Sequence, residues 1–270
     1  MRQLIYDTYS AIPDRGIHLA FKRVRNDIQS DVEGTKYCLK MDVKKFYPSI
    51  DREILLNDYH RIFKDEGLLW YLNLNITKSP DTGIPIGNYL SQFSGNFYLS
   101  PFDHWIKEVK GVKYYYRYMD DIVILHSSKE YLQELKWEII KYMREERHLT
   151  IKGNYQVFPV AKRGVDFVGY RVFPDFVLLR ASTAKNMKSK MAKILRKVES
   201  ETEMSYSDYC CINSYKGWLS YCNSYRLYTK YFKPLEKPVE EYYNKHLKNG
   251  GKKANENNGK CSVNSKAKGS

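Results

Sequence analysis

Three carboxylates frame the chemistry open to this chain. Asp120 and Asp121 are adjacent in "YYYRYMDDIVIL", residues 114–125, between two runs of β-formers, and Asp42 ends a third such run, "KYCLKMDV". Adjacent acids at a turn are often turn chemistry alone, because Asp tolerates such backbones. Here the following "DIVIL" is expected to be buried, so the acids stand at the edge of a core, where like charges repel unless a cation neutralises them. If the two elements pair, three carboxylates converge with no lysine between them. Such an oxygen donor set suits hard divalent cations, Mg²⁺ above all. Two ions about 4 Å apart activate an attacking 3′-hydroxyl and neutralise a leaving pyrophosphate. Phosphoryl transfer of this kind demands positioning and charge neutralisation more than covalent chemistry.

The composition agrees with a polyanionic substrate. Of 270 residues, 45 are Lys or Arg against 31 Asp or Glu, a formal charge of +14, and 25 are Tyr. A basic surface interleaved with aromatics suits nucleic acid, whose phosphates pair and whose bases stack. A solvated basic surface over a Tyr-rich core accounts for the same numbers. No apolar run approaches the ~18 residues of a membrane span, and the start, "MRQLIYDTYSAIPDRG", has no apolar signal core. Cys38, Cys210, Cys211, Cys222 and Cys261 are odd in number and lack CxxC spacing, which points to a reducing cytoplasm and argues against a structural zinc site.

The elements that must position the acids follow from pattern. In "KYCLKMDV", Tyr37, Leu39 and Met41 fall on one face of a strand and Cys38, Lys40 and Asp42 on the other. Strands over residues 112–119 and 122–127 flank the aspartate turn. Helical spacing predicts helices in "IDREILLNDYHRIF" and in "SKEYLQELKWEIIKYMREER", the latter with Leu132, Leu135, Ile139 and Met143 on one side. A Gly/Pro loop, residues 79–88, leads into a helix over 89–109 with a kink at Pro101. Residues 15–30 fit a helix or a strand, and "LTIKGNYQVFPVAKRGVDFVGYRVFP" reads as short strands broken by Gly and Pro. A basic helix over 183–198 and a Tyr-rich helical stretch over 206–232 follow, then a polar tail after Gly250 with the composition of a disordered segment.

"YMDD" between two strands, preceded by "KMDVKKFYPSID", resembles motifs C and A of reverse transcriptases. The resemblance runs in order over roughly residues 15–180, through "RGIHLAFKR", "GIPIGNYLSQF", "LTIKGNYQVFP" and "VDFVGYRVFP", the last similar to a primer-grip hairpin. It implies an α+β right-hand polymerase. Partial fingers would occupy residues 1–35, an antiparallel-sheet palm 36–180 with finger insertions near 60–85, a helical thumb 181–245 and a disordered basic tail 246–270. The activity implied is RNA-directed DNA polymerisation with two Mg²⁺ ions, an RNA template, a DNA or RNA primer and dNTPs, without a membrane. Asp42 and Asp120 would be metal ligands, Asp121 a weaker third acid, and the Val43 carbonyl a further ligand. Tyr47 would be the gate that excludes a ribose 2′-hydroxyl, or else a core aromatic under the sheet. Lys152 would give a proton to pyrophosphate, or stand as a surface lysine. Arg15, Lys22 and Arg23 would contact triphosphate or template through charge-assisted hydrogen bonds. Gly87 would admit backbone close to the nascent pair, Ser91 would cap or line the next helix, and Phe167, Gly169 and Tyr170 would form the primer grip.

Most members of the family carry "QGxxxSP" in the loop that here reads "IGNYLSQ". Ile86 stands where Gln is usual and Gln92 where Pro is usual. The pattern is similar to the reverse transcriptases of diversity-generating retroelements, a bacterial or phage-encoded group that works with a structured template RNA and a basic accessory protein. A Gln can hydrogen-bond the incoming sugar, whereas Ile offers shape alone, and losing such a contact removes on the order of 1 kcal/mol of discrimination. Error-prone copying, most marked opposite template adenine, is therefore implied; simple packing of Ile86 against the fingers is the alternative. A retron-type or phage-defence enzyme, or a non-catalytic RNA-binding remnant, are the rival readings. The remnant is suggested by the 14 residues before "RGIH", fewer than family members usually carry. Lys185, Lys188, Lys193, Arg196 and Lys197 would let a thumb helix track a template–primer backbone. Trp218, Tyr221, Tyr225 and Tyr228 read as the thumb's own core in preference to base-stacking platforms.

Overall fold

Alternation in "YCLKMD" produces a strand with unlike faces, β1 (Tyr37–Asp42), in which Leu39 and Met41 are buried while Lys40 and Asp42 are half-buried on the other side. The structure, a computed structural model, describes residues 4–77 and 82–248. Residues 79–81 of the expected loop, and the expected tail beyond Lys248, lie outside the described residues. The chain divides into two compact units, Met1–Phe176 and Val177–Ser270.

The first unit runs α1 (Ile17–Ser30), β1, α2 (Phe46–Ser49), α3 (Arg52–Ile62), α4 (Glu66–Thr77), α5 (Tyr89–His104), β2 (Tyr114–Tyr118), β3 (Asp121–His126), α6 (Lys129–Glu146), β4 (Gln156–Pro159), α7 (Val160–Arg163), β5 (Val165–Phe167) and β6 (Tyr170–Val172). Four strands form an antiparallel sheet in the order β2-β3-β1-β4. Its core face carries Leu39, Met41, Tyr115, Ile122 and Ile124, packed with buried residues of α5 such as Phe97, Leu99 and Phe102 and of α6 such as Leu132, Leu135 and Ile139. On the opposite face the Tyr116 hydroxyl donates to Asp27 of α1 at 2.6 Å, and Phe21 of α1 meets Tyr170 of β6 with ring centroids 4.4 Å apart.

Local chemistry sets the helix starts. Asp51 caps α3 by accepting from the Glu53 and Ile54 N–H groups, Asn88 caps α5 through Leu90, and Ser128 caps α6 through Tyr131. The open question over residues 15–30 resolves as a helix, because Ala20, Phe21, Val24 and Ile28 fall on one buried stripe. Part of the tyrosine count belongs to the core of this unit: Tyr9, Tyr59, Tyr98, Tyr115, Tyr116 and Tyr170 are all fully buried. Their hydroxyls find partners, as Tyr59 does in Ser94 at 2.8 Å.

Several expectations change. The helix from Tyr89 continues through Pro101 but becomes a π-helical turn over Trp105–Val109, and β2 begins at Tyr114 because Val112 is tied back to the Ile106 carbonyl at 3.1 Å. Residues 160–163, expected within a run of strands, form the single helical turn α7.

The second unit runs β7 (Val177–Leu179), α8 (Ala181–Glu199), α9 (Tyr206–Leu219), α10 (Tyr225–Tyr231), a 3₁₀ turn over Lys233–Leu235 and α11 (Glu236–His246). The Tyr-rich stretch is thus two helices. Its tyrosines are not the core: Tyr225 is 83% exposed, Trp218, Tyr221 and Tyr228 are only half-buried, and Met187, Met191, Ile194, Ile212, Leu219, Phe232 and Leu235 fill the interior. The basic helix α8 buries its methionines Met187 and Met191, and the rings of the Tyr-rich stretch stay half-buried or exposed. Among the described residues no helix is long and apolar enough to cross a membrane.

One glycine bears on the floor of the site. Gly83 has φ +79°, and a Cβ there would lie 2.2 Å from the Tyr47 carbonyl oxygen. The same carbonyl accepts from the Ile84 N–H at 3.0 Å, and Arg52 Nε holds the Gly83 carbonyl at 2.5 Å. Gly83→Ala is expected to destabilise the protein by roughly 2 kcal/mol or more, combining left-handed strain with a backbone clash. Urea unfolding checks it; an unchanged midpoint would show that the loop moves away freely.

Candidate active site

β1 and β3 pair so that Asp42 lies directly opposite Asp121, and opposed residues of an antiparallel pair share a face. One residue further, the Val43 N–H donates to the Asp120 carbonyl at 3.1 Å. Segment 150–152 borders the same corner: the Lys152 N–H donates to the Asp42 carbonyl at 2.8 Å, and Val43 forms a bridge with Ile151. Met119, just before the acids, turns the chain at φ +53°. Two strands and a turn thus bring together residues some eighty positions apart in sequence.

The charges differ from expectation. Lys40, two residues before Asp42 and on its face, reaches diagonally across to Asp121, with Nζ 2.6 Å from Oδ1. Lys152 Nζ lies 3.8 Å from Asp42 Oδ1. The expected cluster of three acids without an intervening lysine is therefore not the arrangement formed. Among the described residues no group of three or more His, Cys, Asp or Glu side chains is disposed to hold a metal. Asp42 and Asp120 still present carboxylate oxygens of the kind a hard divalent cation takes. Burial holds the Asp120 carboxyl above the usual range; Lys152 opposes the shift and the Asp42 charge adds to it.

Tyr47 is half-buried against Phe46, whose ring centroid is 5.4 Å away, and its hydroxyl is pushed up first by burial and then by the nearby Asp120 charge. It packs on the core, as one expectation has it, and stands near enough to Asp120 to feel its charge. Ile86 is 73% exposed, so packing against the fingers does not describe it. Gly87 beside it has φ +95° with open space where a Cβ would be. Ser91 is buried in α5 and Gln92 exposed, while the cap expected of Ser91 comes from Asn88. Phe167 and Tyr170 are buried and opposed across the β5–β6 hairpin. Its turn residues, Val168 and Gly169, both have positive φ, the geometry of the tightest hairpin turns. Lys40 Nζ sits 5.8 Å from the Phe167 ring centroid, which joins this hairpin to the acids.

Two of the three basic residues expected near the start of the chain make contacts within the fold. Arg15 Nη1 donates to the carbonyls of Ile5, Tyr6 and Thr8 at 2.6, 3.1 and 2.9 Å. Arg15 and Arg23 each lie 5.2 Å from the Tyr6 ring centroid. Lys22 is exposed on α1. Beside Asp42 a cleft of about 190 Å³ is walled by Lys40, Asn154, Gln156, Arg163, Asp166 and Arg171; Arg171 pairs with Asp166 at 4.0 Å, and its Nε is buried without a hydrogen-bond partner. Residue type alone does not single out Lys40, Arg163 or Arg171; the available signal for Lys40 is its place on the polar face of β1.

Residues 2–172 match the family described as reverse transcriptase (RNA-dependent DNA polymerase). Among solved structures, telomerase from Candida albicans in complex with a TWJ fragment of telomeric RNA is similar, with a TM-score of 0.51 at 12% identity over 68% of this chain and 38% of that one. Telomerase from Candida tropicalis, also in complex with a TWJ fragment, gives 0.51 at 13% identity over 86% and 44%. The chain spans less than half the length of either, and at such identity the likeness is one of fold. No curated protein matches the chain. The α+β class with a reverse-transcriptase-like antiparallel sheet is as expected.

A stability test follows from Asp120. Its folded-state pKa is raised, so folding favours the protonated carboxyl; that contribution is fully present below the unfolded pKa and is lost as pH rises through the folded one. Asp120→Asn in EDTA should therefore melt above wild type near pH 7, and the gap should close as pH falls through the carboxylate range. Equal melting temperatures at pH 7 would remove burial as the dominant influence.

Proposed function

The chain belongs to the reverse transcriptase family, and on that premise we propose that it copies a template RNA into error-prone cDNA, as the enzymes of diversity-generating retroelements do. The observation that carries this reading is the β1–β3 register, which joins Asp42 to the Asp120–Asp121 turn. Residues 1–35 would serve as partial fingers, 36–180 as palm and 181–245 as thumb.

Asp42 and Asp120, with the Val43 carbonyl, would hold Mg²⁺, which when bound neutralises the transferring phosphate and lowers the pKa of the attacking hydroxyl. The primer 3′-oxygen attacks the α-phosphorus of the incoming nucleotide, and the bond to the bridging pyrophosphate oxygen breaks. Lys152, whose ammonium is 3.8 Å from Asp42, would give the leaving pyrophosphate a proton. Lys40 engages Asp121, which makes Asp42 and Asp120 the principal pair. Tyr47 closes the sugar side against a 2′-hydroxyl. The exposed Ile86 meets the nascent base pair with an apolar surface and no hydrogen bond. The wall of Lys40, Arg163 and Arg171 supplies cations for a phosphodiester backbone, and the exposed lysines of α8 extend that capacity in the second unit. "IGNYLSQ" is what supports the retroelement subtype; a structured template RNA and a basic accessory protein would be its partners.

Primer extension on an RNA template with Mg²⁺ tests the chemistry. Asp120→Ala should abolish extension, and synthesis at the wild-type rate would refute the site. Product sequencing tests the subtype: Ile86→Gln should lower misincorporation opposite template adenine about fivefold, the equivalent of ~1 kcal/mol. An unaltered error spectrum would strip Ile86 of that role.

A further inference from the structure

Arg117 is the lone charged residue in "YYYRYM", and its side chain is wholly buried. It stands on the core face of β2, opposite Ile122, and turns toward α5. Its guanidinium forks onto Asp103, with Nε 2.7 Å from Oδ1 and Nη2 2.5 Å from Oδ2. Asp103, equally buried, also accepts from the Tyr115 hydroxyl at 2.5 Å and from Thr8 Oγ1 at 3.0 Å. The remaining nitrogen of the fork, Nη1, donates to Asn96 Oδ1 at 3.2 Å and to the Met119 carbonyl at 3.0 Å.

A buried ion pair is weak evidence of stabilisation, since well-packed apolar side chains of similar volume often do as well. Apolar side chains cannot donate to the Met119 carbonyl. That carbonyl belongs to the peptide unit leading into Asp120, and Met119 has the left-handed φ of +53°, which an L side chain adopts unwillingly. On the far side, the carbonyl of Asp120 itself accepts from the Val43 N–H at 3.1 Å. The backbone around Asp120 is thus gripped twice, once from β1 and once from a cation anchored in α5.

We propose that Arg117, anchored by Asp103, is a positioning residue that fixes the Met119–Asp120 peptide and so sets the direction in which the Asp120 carboxylate is presented. The inference rests on the polymerase reading above and adds a residue that does not touch substrate.

Two variants test it beside wild type and Asp120→Ala. Arg117→Lys keeps a cation for Asp103 but lacks the planar fork that reaches Asp103, Asn96 and Met119 together. Arg117→Met with Asp103→Leu removes both charges at once, leaving no unpaired ion in the core. Unfolding midpoint, primer–template Kd, and kcat and KM for dNTP on an RNA template are measured for each. In folded variants, Kd and KM should stay within about threefold of wild type while kcat falls on the order of 100-fold, the scale of an ångström-sized misplacement. A folded variant with wild-type kcat overturns the proposal. So does a loss of extension that merely tracks the folded fraction, because Arg117 would then act on stability alone. Full activity in Asp120→Ala would instead overturn the reading of the site itself.

Discussion

The register between β1 and β3 is the constraint on which the rest depends. Leu39 opposite Ile124 and Met41 opposite Ile122 bury one face, and the same register sets Asp42 opposite Asp121 on the other. A slip of one residue would send Asp42 into the core and Met41 to the site. The apolar face therefore enforces the polar one: hydrophobic burial specifies where the acids meet. β1 and β3 are also the two inner strands of the sheet, so the acids stand at its best-supported edge.

The meeting has an electrostatic cost that the structure offsets unequally. Like charges opposed across a strand pair destabilise it, and Lys40 and Lys152 stand against Asp121 and Asp42. Among the described residues no salt bridge forms to Asp120, and it is the carboxyl that burial raises. A carboxylate already matched by a lysine at 2.6 Å gives a metal less, whereas one held at a cost in the folded protein gains most from a bound cation.

Much of this was legible in residue order. The alternation of "KYCLKMD" and the turn-flanked "YMDD" suffice for a strand and a hairpin, and the Asp51, Asn88 and Ser128 caps stand where helical spacing begins. The lysines among the acids were not legible, because the Lys40–Asp121 contact is diagonal across two strands and exists only once the register is known. Arg117 was hidden for the same reason: Asp103 and Asn96 come from one face of α5, and nothing local connects them to β2. The rings of α9 and α10 misled in the opposite direction, since their helical spacing suits a core, yet the methionines of α8 had already filled it.

The segment before α1 shows how a basic residue can serve a site without touching its ligand. β2 is an edge strand, and an edge with unpaired backbone groups invites a covering segment. Residues 7–9 supply it: the Arg117 N–H donates to the Asp7 carbonyl at 3.0 Å and the Tyr9 N–H to the Arg117 carbonyl at 3.1 Å. The same segment delivers Thr8 to Asp103. What fastens it is Arg15, through three carbonyls, and Arg23, whose guanidinium lies 5.2 Å from the Tyr6 ring centroid. Two arginines that resemblance assigns to the triphosphate or template thus help hold the segment that covers β2 beside Arg117. Their positive charge matters less here than the number of donors a guanidinium can aim at once, a task for which lysine is poorly shaped. A chain of contacts then runs from Arg15 through Thr8, Asp103 and Arg117 to the peptide before Asp120, and each link is a hydrogen bond made inside one unit of the fold.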